Sequence, residues 1–323
     1  MRIRGVTSAR IVAKWLHKRF GRRGPLILGY HRIAECNWNL QQLCVGPKHF
    51  EEHLEVLTQA GRSIGLPQFV RKLANGEDVS RMFVVTFDDG YKDTFDTAAP
   101  ILDRFGVSAT VFIPTAMIGK PFWWDEIQEI VEKAVTLPDS INLNLGGHHF
   151  RWERVTETHD SRALLIHALC SHFRRIPYAR TDEALGTLME LPEFPGTSTE
   201  PVRAMTADEV VALSRHELIE IGSHTVSHAS LSTLTREHQE SELRRSKVAL
   251  EALCNLPIES FAYPNGRVSR EAPALLRQTG FSCVLTSEGR PVSRRSDPYL
   301  LPRSFLDDWD GDQFSCWLGR WFG

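Results

Sequence analysis

Val84-Val85-Thr86-Phe87-Asp88-Asp89-Gly90-Tyr91 opens as an apolar run and ends in two adjacent carboxylates and a glycine. The run reads as a buried strand, Met82 to Phe87. Two Asp residues at the end of such a strand are costly unless something cationic or catalytic accounts for them. Far downstream, Ser223-His224-Thr225-Val226-Ser227-His228 supplies two imidazoles four residues apart. Two neutral imidazoles and one carboxylate make a ligand set for a divalent metal such as Zn²⁺ that leaves positions open for water and substrate. That leaves one Asp over. A bound metal polarises a carbonyl oxygen and lowers the pKa of its water to about 7, and the surplus carboxylate is the candidate base for that water. Gly90 permits a turn, so both side chains can reach one pocket. Taken singly, Asp-Asp-Gly also reads as an ordinary turn, and His-x3-His as two histidines on a helix surface.

The rest of the chain repeats the strand pattern. Leu26 to Tyr30 reads as a short buried strand after Gly24-Pro25, ending at His31-Arg32. Val107 to Ile113, Leu218 to Ser223, Glu259 to Tyr263 and Phe281 to Leu285 read as further strands. Helical patterns lie at Pro47 to Ala60, Asp93 to Phe105 with Pro100 inside it, Thr235 to Leu253 and Ser269 to Gln278. Thr206 and Glu209 have capping-box spacing. About seven short β then α units imply a mostly parallel sheet with helices outside, closed or nearly closed into a barrel. His31, Asp88-Asp89, His224/His228 and Pro264-Asn265-Gly266 all fall at strand C-terminal ends, the rim where such barrels build active sites. Residues 122–204 break the pattern and read as a mainly helical insertion. There a polar stretch follows Val135, then two helical patterns, about Ser161 to Arg174 and Asp182 to Met189, and His148-His149 read as surface loop residues. Trp123 and Trp124 either stack on sugar faces or anchor the insertion. Asp307-Asp308 reads as a solvated turn.

Composition narrows the class. The formal net charge is -2 over 323 residues, which argues against a general nucleic-acid binder. No stretch of about 18 apolar residues predicts a membrane-spanning helix. Residues 1–23 carry eight Lys or Arg and no acid. They read as a basic amphipathic helix, either packed on the domain or in peripheral contact with an anionic membrane. They lack the apolar core of a secretory signal. The six cysteines are scattered, with no CxxC pair, and read as free thiols of a reducing compartment. The expected setting is therefore cytoplasmic, with contact at the inner membrane face.

These motifs resemble a known family. Thr86-Phe87-Asp88-Asp89-Gly90-Tyr91, Ser223 to His228 and Phe261-Ala262-Tyr263-Pro264-Asn265-Gly266 are similar, in order and spacing, to three motifs of the polysaccharide deacetylases, the NodB-homology domain of carbohydrate esterase family 4. The resemblance covers about residues 24–305 outside the insertion, and the catalytic domain is expected to span 24–323. It implies a distorted (β/α)7 barrel. It further implies Asp88 as general base and Asp89, His224 and His228 as ligands of a divalent metal. That metal is expected to be Zn²⁺, with Co²⁺ or Ni²⁺ as other occupants of such a site. The backbone N–H of Asn265 would stabilise the oxyanion.

Two departures stand out. Ala262 occupies the place of an Arg that orients the base, with Arg303 or Arg32 as candidate substitutes. The family's late His motif has no counterpart at the C-terminus. Gly29-Tyr30-His31-Arg32 resembles the arrangement of circularly permuted members such as the poly-N-acetylglucosamine deacetylases, which assigns His31 as general acid. The expected activity is removal of N-acetyl groups from a sugar of a polysaccharide or lipid-linked precursor. The alternatives are an O-acetyl esterase on a glycan, or a catalytically degenerate glycan-binding module.

Overall fold

The computed structural model describes residues 24–36, 39–154, 159–194 and 201–322. The basic segment 1–23, with its expected membrane contact, lies outside the described residues. The chain divides into two compact units: one holds the chain up to Ile118 and from Met205, the other is Gly119–Ala204.

In the larger unit the strands are β1 (Leu26–Tyr30), β2 (Arg32–Ile33), β3 (Cys44–Val45), β4 (Arg62–Ser63), β5 (Met82–Phe87) and β6 (Ala109–Ile113). In the smaller unit they are β7 (Ser140–Leu145) and β8 (His148–Glu153). The larger unit resumes with β9 (Ile219–Ser223), β10 (Ser260–Ala262), β11 (Cys283–Leu285) and β12 (Ser304–Phe305). The α-helices are α1 (Pro47–Ala60), α2 (Leu66–Ala74), α3 (Ala99–Phe105), α4 (Trp123–Lys133), α5 (His159–Phe173) and α6 (Thr181–Met189). They continue with α7 (Ala207–Ser214), α8 (Arg236–Cys254), α9 (Ala272–Thr279) and α10 (Gly311–Trp321).

The main sheet runs β11-β10-β9-β6-β5-β1-β12, with β4 added beside β5, and its pairings are parallel. The two ends of this path approach each other. Leu285 of β11 bridges Leu301, the Leu301 N–H donates to the Val284 carbonyl, and Leu301 leads into β12. The result is the expected distorted barrel of β and α units.

Strands buried on both faces read as continuous apolar runs, as β1 and β5 do. The two faces serve different cores. Phe83, Val85 and Phe87 of β5 pack with Leu26, Leu28 and Tyr30 of β1 under α1, α3, α8 and α9. Val84 and Met82 face the other way with Ile27 and Phe112, where Leu66, Phe69, Val70 and Leu73 of α2 complete a second cluster. Thr86 and Asp88 continue this second face by the period of two.

Three readings need correction. Asp93 to Phe105 is not one helix. Thr94–Ala98 is a π-helical turn that passes into α3 with Pro100 in the first turn. Proline has no N–H for the i→i−4 ladder, so the wider register absorbs it. Second, Cys36 and Cys44 are joined as a disulfide, and only Cys170, Cys254, Cys283 and Cys316 are free thiols. The short β2–β3 pairing, which sets Arg32 opposite Cys44, brings the loop back on itself. This removes the free-thiol argument for a reducing compartment. Third, Asp308 is more than a solvated turn: it accepts from the Gly46 N–H at 2.8 Å and lies 2.7 Å from His49 Nδ1, tying the loop before α10 to the start of α1.

The smaller unit combines α4, α5 and α6 with an antiparallel hairpin, β7–β8, that the polar reading of that stretch missed. The missed signal was Gly146-Gly147 between alternating runs. Both glycines have positive φ, 58° and 88°, as a two-residue type I′ turn requires. His148 and His149 therefore lie on a strand. Trp124 is buried and stacks on Phe122 at 4.7 Å, while Trp123 stacks on Phe173 at 5.6 Å. Trp124 is enclosed in this unit's own core, and Trp123, partly exposed, packs against it through Phe173.

Candidate active site and metal centre

Asp88 and Asp89 follow β5 directly, and both are buried. The Asp88 N–H donates to the Tyr30 carbonyl at 2.9 Å, so β1 and β5 end level and His31 emerges beside Asp88. Asp89 takes a left-handed backbone, φ 69°, followed by Gly90 at 66°. An extended pair would point to opposite faces. The left-handed residue cancels that alternation and lets both carboxylates serve one site. The turn expected at Gly90 thus begins one residue earlier.

Arg303 arrives from the segment leading into β12 and is fully buried. Its two terminal nitrogens donate to the two Asp88 oxygens at 2.6 and 2.7 Å, and Nη1 also donates to Thr86 Oγ1 at 3.1 Å. This is a bidentate, charge-assisted clamp. The guanidinium lies over the rings of Phe305 at 4.4 Å and Phe112 at 5.6 Å. Two glycines make room for those rings. A Cβ on Gly29 would sit 2.8 Å from Phe305, and one on Gly222 would sit 2.5 Å from Phe112. Arg303 therefore stands where the motif comparison left Ala262. The other candidate, Arg32, points elsewhere and donates to Asp93 at 2.9 Å. Burial by itself would raise the Asp88 pKa, but the Arg303 charge, His224 and the Arg303 hydrogen bonds outweigh it and hold the carboxyl at about 2.

Asp89 faces the histidines. Its Oδ1 lies 3.7 Å from His224 Nε2 and 3.3 Å from His228 Nε2. One ligand atom from each of the three residues can be chosen so that all lie within 4.8 Å of one another. His224 Nδ1 is 2.8 Å from the Ala262 carbonyl. A carbonyl can only accept, so Nδ1 carries the proton and Nε2 presents its lone pair towards Asp89. Burial, the largest influence, lowers the His224 pKa and favours the neutral ring. This donor set fits a divalent cation: two imidazole nitrogens, one carboxylate oxygen, and the Ala262 carbonyl behind His224 that fixes its tautomer. Ala262, the departure from the motif, contributes through its main chain.

His31 stacks on Phe305 at 4.7 Å between ring centres. Burial pulls its pKa down to about 4; Asp88 opposes this, while Arg303 and His224 add to it. Asn265 lies three residues beyond the Ala262 carbonyl, in the turn Pro264–Gly266 after β10. Its side chain is exposed and its backbone left-handed, φ 56°. Four non-glycine residues of the three motifs have positive φ: Asp89, Thr225, His228 and Asn265. Such backbone persists only where its surroundings over-determine it, and it gathers at functional sites.

The sequence reading of this site left one residue undecided and missed another. Arg303 was one of two candidates for a role that spacing could not settle. Glu242 of α8 was not singled out at all. It accepts hydrogen bonds from the loop between the two histidines, and no linear motif marks it.

A family model for polysaccharide deacetylases matches residues 75–138 and 197–284, and the gap between these spans lies within the smaller unit. YxkH of Bacillus subtilis is 23% identical over 279 residues, 86% of this chain and 69% of that protein. The poly-beta-1,6-N-acetyl-D-glucosamine N-deacetylase of Staphylococcus aureus is 20% identical over 318 residues, 94% of this chain and 85% of that protein. Among solved structures, IcaB from Ammonifex degensii superposes with a TM-score of 0.61 at 16% identity, covering 94% of this chain and 100% of that one. The Streptococcus pyogenes deacetylase PplD, solved with acetate, gives 0.57 at 17% identity, covering 88% and 93%. The structural likeness establishes the shared barrel, and the matched sequence spans carry both aspartates and both site histidines. The chain matches the polysaccharide deacetylase family over these two spans, nearly half of its length, and the relatives it resembles include an N-deacetylase, a hydrolase that acts on carbon–nitrogen bonds.

Proposed function

We propose that the protein is a metal-dependent N-deacetylase that releases acetate from an N-acetylated sugar of a polysaccharide or lipid-linked precursor. The observation that carries this reading is the placing of an Arg-clamped carboxylate beside a His₂Asp cluster. Asp89, His224 and His228 hold the cation. A divalent ion there supplies Lewis acidity towards a carbonyl oxygen and lowers the pKa of water; Zn²⁺ is the first expectation, and Co²⁺ and Ni²⁺ suit the same ligands.

Asp88 is kept ionised by Arg303 and takes the proton of the water that attacks the acetamide carbon. The Asn265 N–H donates to the oxygen of the tetrahedral adduct. His31 gives a proton to the departing amine as the carbon–nitrogen bond breaks. The resting His31 ring is neutral. Negative charge growing on the adduct raises its proton affinity, so the ring takes up the proton that Asp88 removed from water and passes it to the amine, returning both groups to their resting states. The products are acetate and the free amino sugar. The basic segment 1–23 would bring the enzyme to an anionic membrane surface carrying such a substrate.

The test is Asp88→Asn, assayed for acetate release from N-acetylated and O-acetylated oligosaccharides. Metal content by elemental analysis should stay at the wild-type level, and turnover should fall about 10²–10⁴-fold. His224→Ala should lose the metal. Full turnover in Asp88→Asn would sink the assignment. Release from the O-acetylated substrates alone would redirect it to an esterase.

A further inference from the structure

Between His224 and His228 the chain makes a short loop that must aim two imidazole nitrogens at one point. Its backbone is not a regular turn: Thr225 has φ 68° and His228 has φ 56°. On one side the loop is pinned by main chain. The Thr225 and Val226 carbonyls accept from the N–H groups of Thr115 and Ala116, at 3.2 and 2.8 Å, and the His224 N–H donates to the Ile113 carbonyl. On the other side the N–H groups of Val226 and Ser227 converge on one oxygen of Glu242, at 2.7 and 2.9 Å. The Ser227 hydroxyl donates to the other oxygen at 2.8 Å. Successive N–H groups converging on an anion form a nest, and bonds to a carboxylate are the strong, charge-assisted kind. Glu242 sits nearly two turns inside α8, a helix capped at Thr235, so the anchor belongs to a rigid element.

We infer that Glu242 is a positioning residue for the metal centre, setting the loop conformation that makes His224 and His228 converge. The inference rests on the reading of Asp89, His224 and His228 as a metal site. Glu242 acts through three bonds to Val226 and Ser227, two of the three residues between the histidines. Removing it leaves two adjacent N–H groups and a hydroxyl without their acceptor and frees a loop whose positive φ angles are otherwise unfavourable. Outer-shell partners of this kind typically change metal affinity by about 10–100-fold.

The experiment loads the metal-stripped full-length protein with Co²⁺ in competition with a chelator and records both the dissociation constant and the visible d–d absorption. Glu242→Ala is expected to bind about 10–100-fold more weakly, with an altered spectrum. Glu242→Gln keeps an acceptor for both N–H groups and can donate to the Ser227 hydroxyl in place of accepting from it. Its affinity and spectrum should return close to wild type. Glu242→Asp keeps the charge but withdraws it by one methylene; it should weaken binding as Ala does, and it provides the comparison if the Ala variant does not fold. Wild-type affinity and spectrum in folded Glu242→Ala or Glu242→Asp would overturn the inference while leaving the metal site intact. Failure of wild-type protein to bind Co²⁺ would instead overturn the metal-site reading itself.

Discussion

Asp88 and Asp89 are chain neighbours held by unlike means. The Asp88 side is built from side chains: a buried guanidinium 215 residues away grips both oxygens, two aromatic rings flank the guanidinium, and His31 stacks on one of them. The Asp89 side is built from backbone: a left-handed residue aims Asp89, a carbonyl orients His224, and a nest on Glu242 shapes the loop to His228. The difference follows the chemistry proposed for each side. A base must stay ionised in a buried place, which needs a countercharge. A metal ligand must point its lone pair, which needs geometry. Damage on the first side should therefore appear in protonation, and damage on the second in metal affinity.

The largest test of that division is Arg303→Met. It leaves Asp88 buried without its countercharge, which should cost about 3–5 kcal/mol of stability. The pH dependence should invert as well. In the wild type the Asp88 pKa is depressed, so its contribution, on the order of 2 kcal/mol, is present above about pH 4 and fades as pH falls towards 2. Without Arg303 burial dominates and the pKa rises above the unfolded value, so acidification should relieve the variant where it harms the wild type. Urea unfolding followed from neutral pH into acid reads this directly. Parallel acid loss in both proteins would break the comparison.

His31→Gln should lower kcat by about 10²–10⁴-fold on an N-acetyl substrate and leave metal content unchanged. On an acetyl ester with a leaving group that needs no proton, the loss should be much smaller. Equal losses on both substrates would mean that His31 only fills space against Phe305. The smallest effect is expected from Thr235→Ala, which removes the N-cap of the helix carrying Glu242. It should cost about 1 kcal/mol in thermal or urea unfolding, with Co²⁺ affinity retained. A drop in affinity there would show that the ligand side depends on the whole helix and not on one carboxylate.

On both sides the sequence revealed the site residues themselves but not their supports. His224 and His228 lie four residues apart, and Asp88-Asp89 interrupts an apolar run, so spacing alone exposed both. Strand existence followed from apolar runs between turn signals, and the capping box at Thr206 and Glu209 stands as written. The hairpin of the smaller unit was hidden by its polar exposed face, although Gly146-Gly147 marked its turn. The Cys36–Cys44 pair carried no spacing signal.

What the sequence determined by itself is the set of local periodicities: buried parallel strands, the rim positions at their ends, and a His₂Asp donor set with one carboxylate to spare. What only the tertiary structure decided is which distant side chain answers each local demand. Arg303 rather than Arg32 reaches Asp88, because Gly29 and Gly222 let Phe305 and Phe112 come close and Arg32 is taken by Asp93. Glu242 rather than any nearer acid receives the loop N–H groups, because α8 packs beside β9. Local patterns are set by a few bonded neighbours. Long-range pairs are set by the closure of the sheet, and that geometry leaves no trace in spacing.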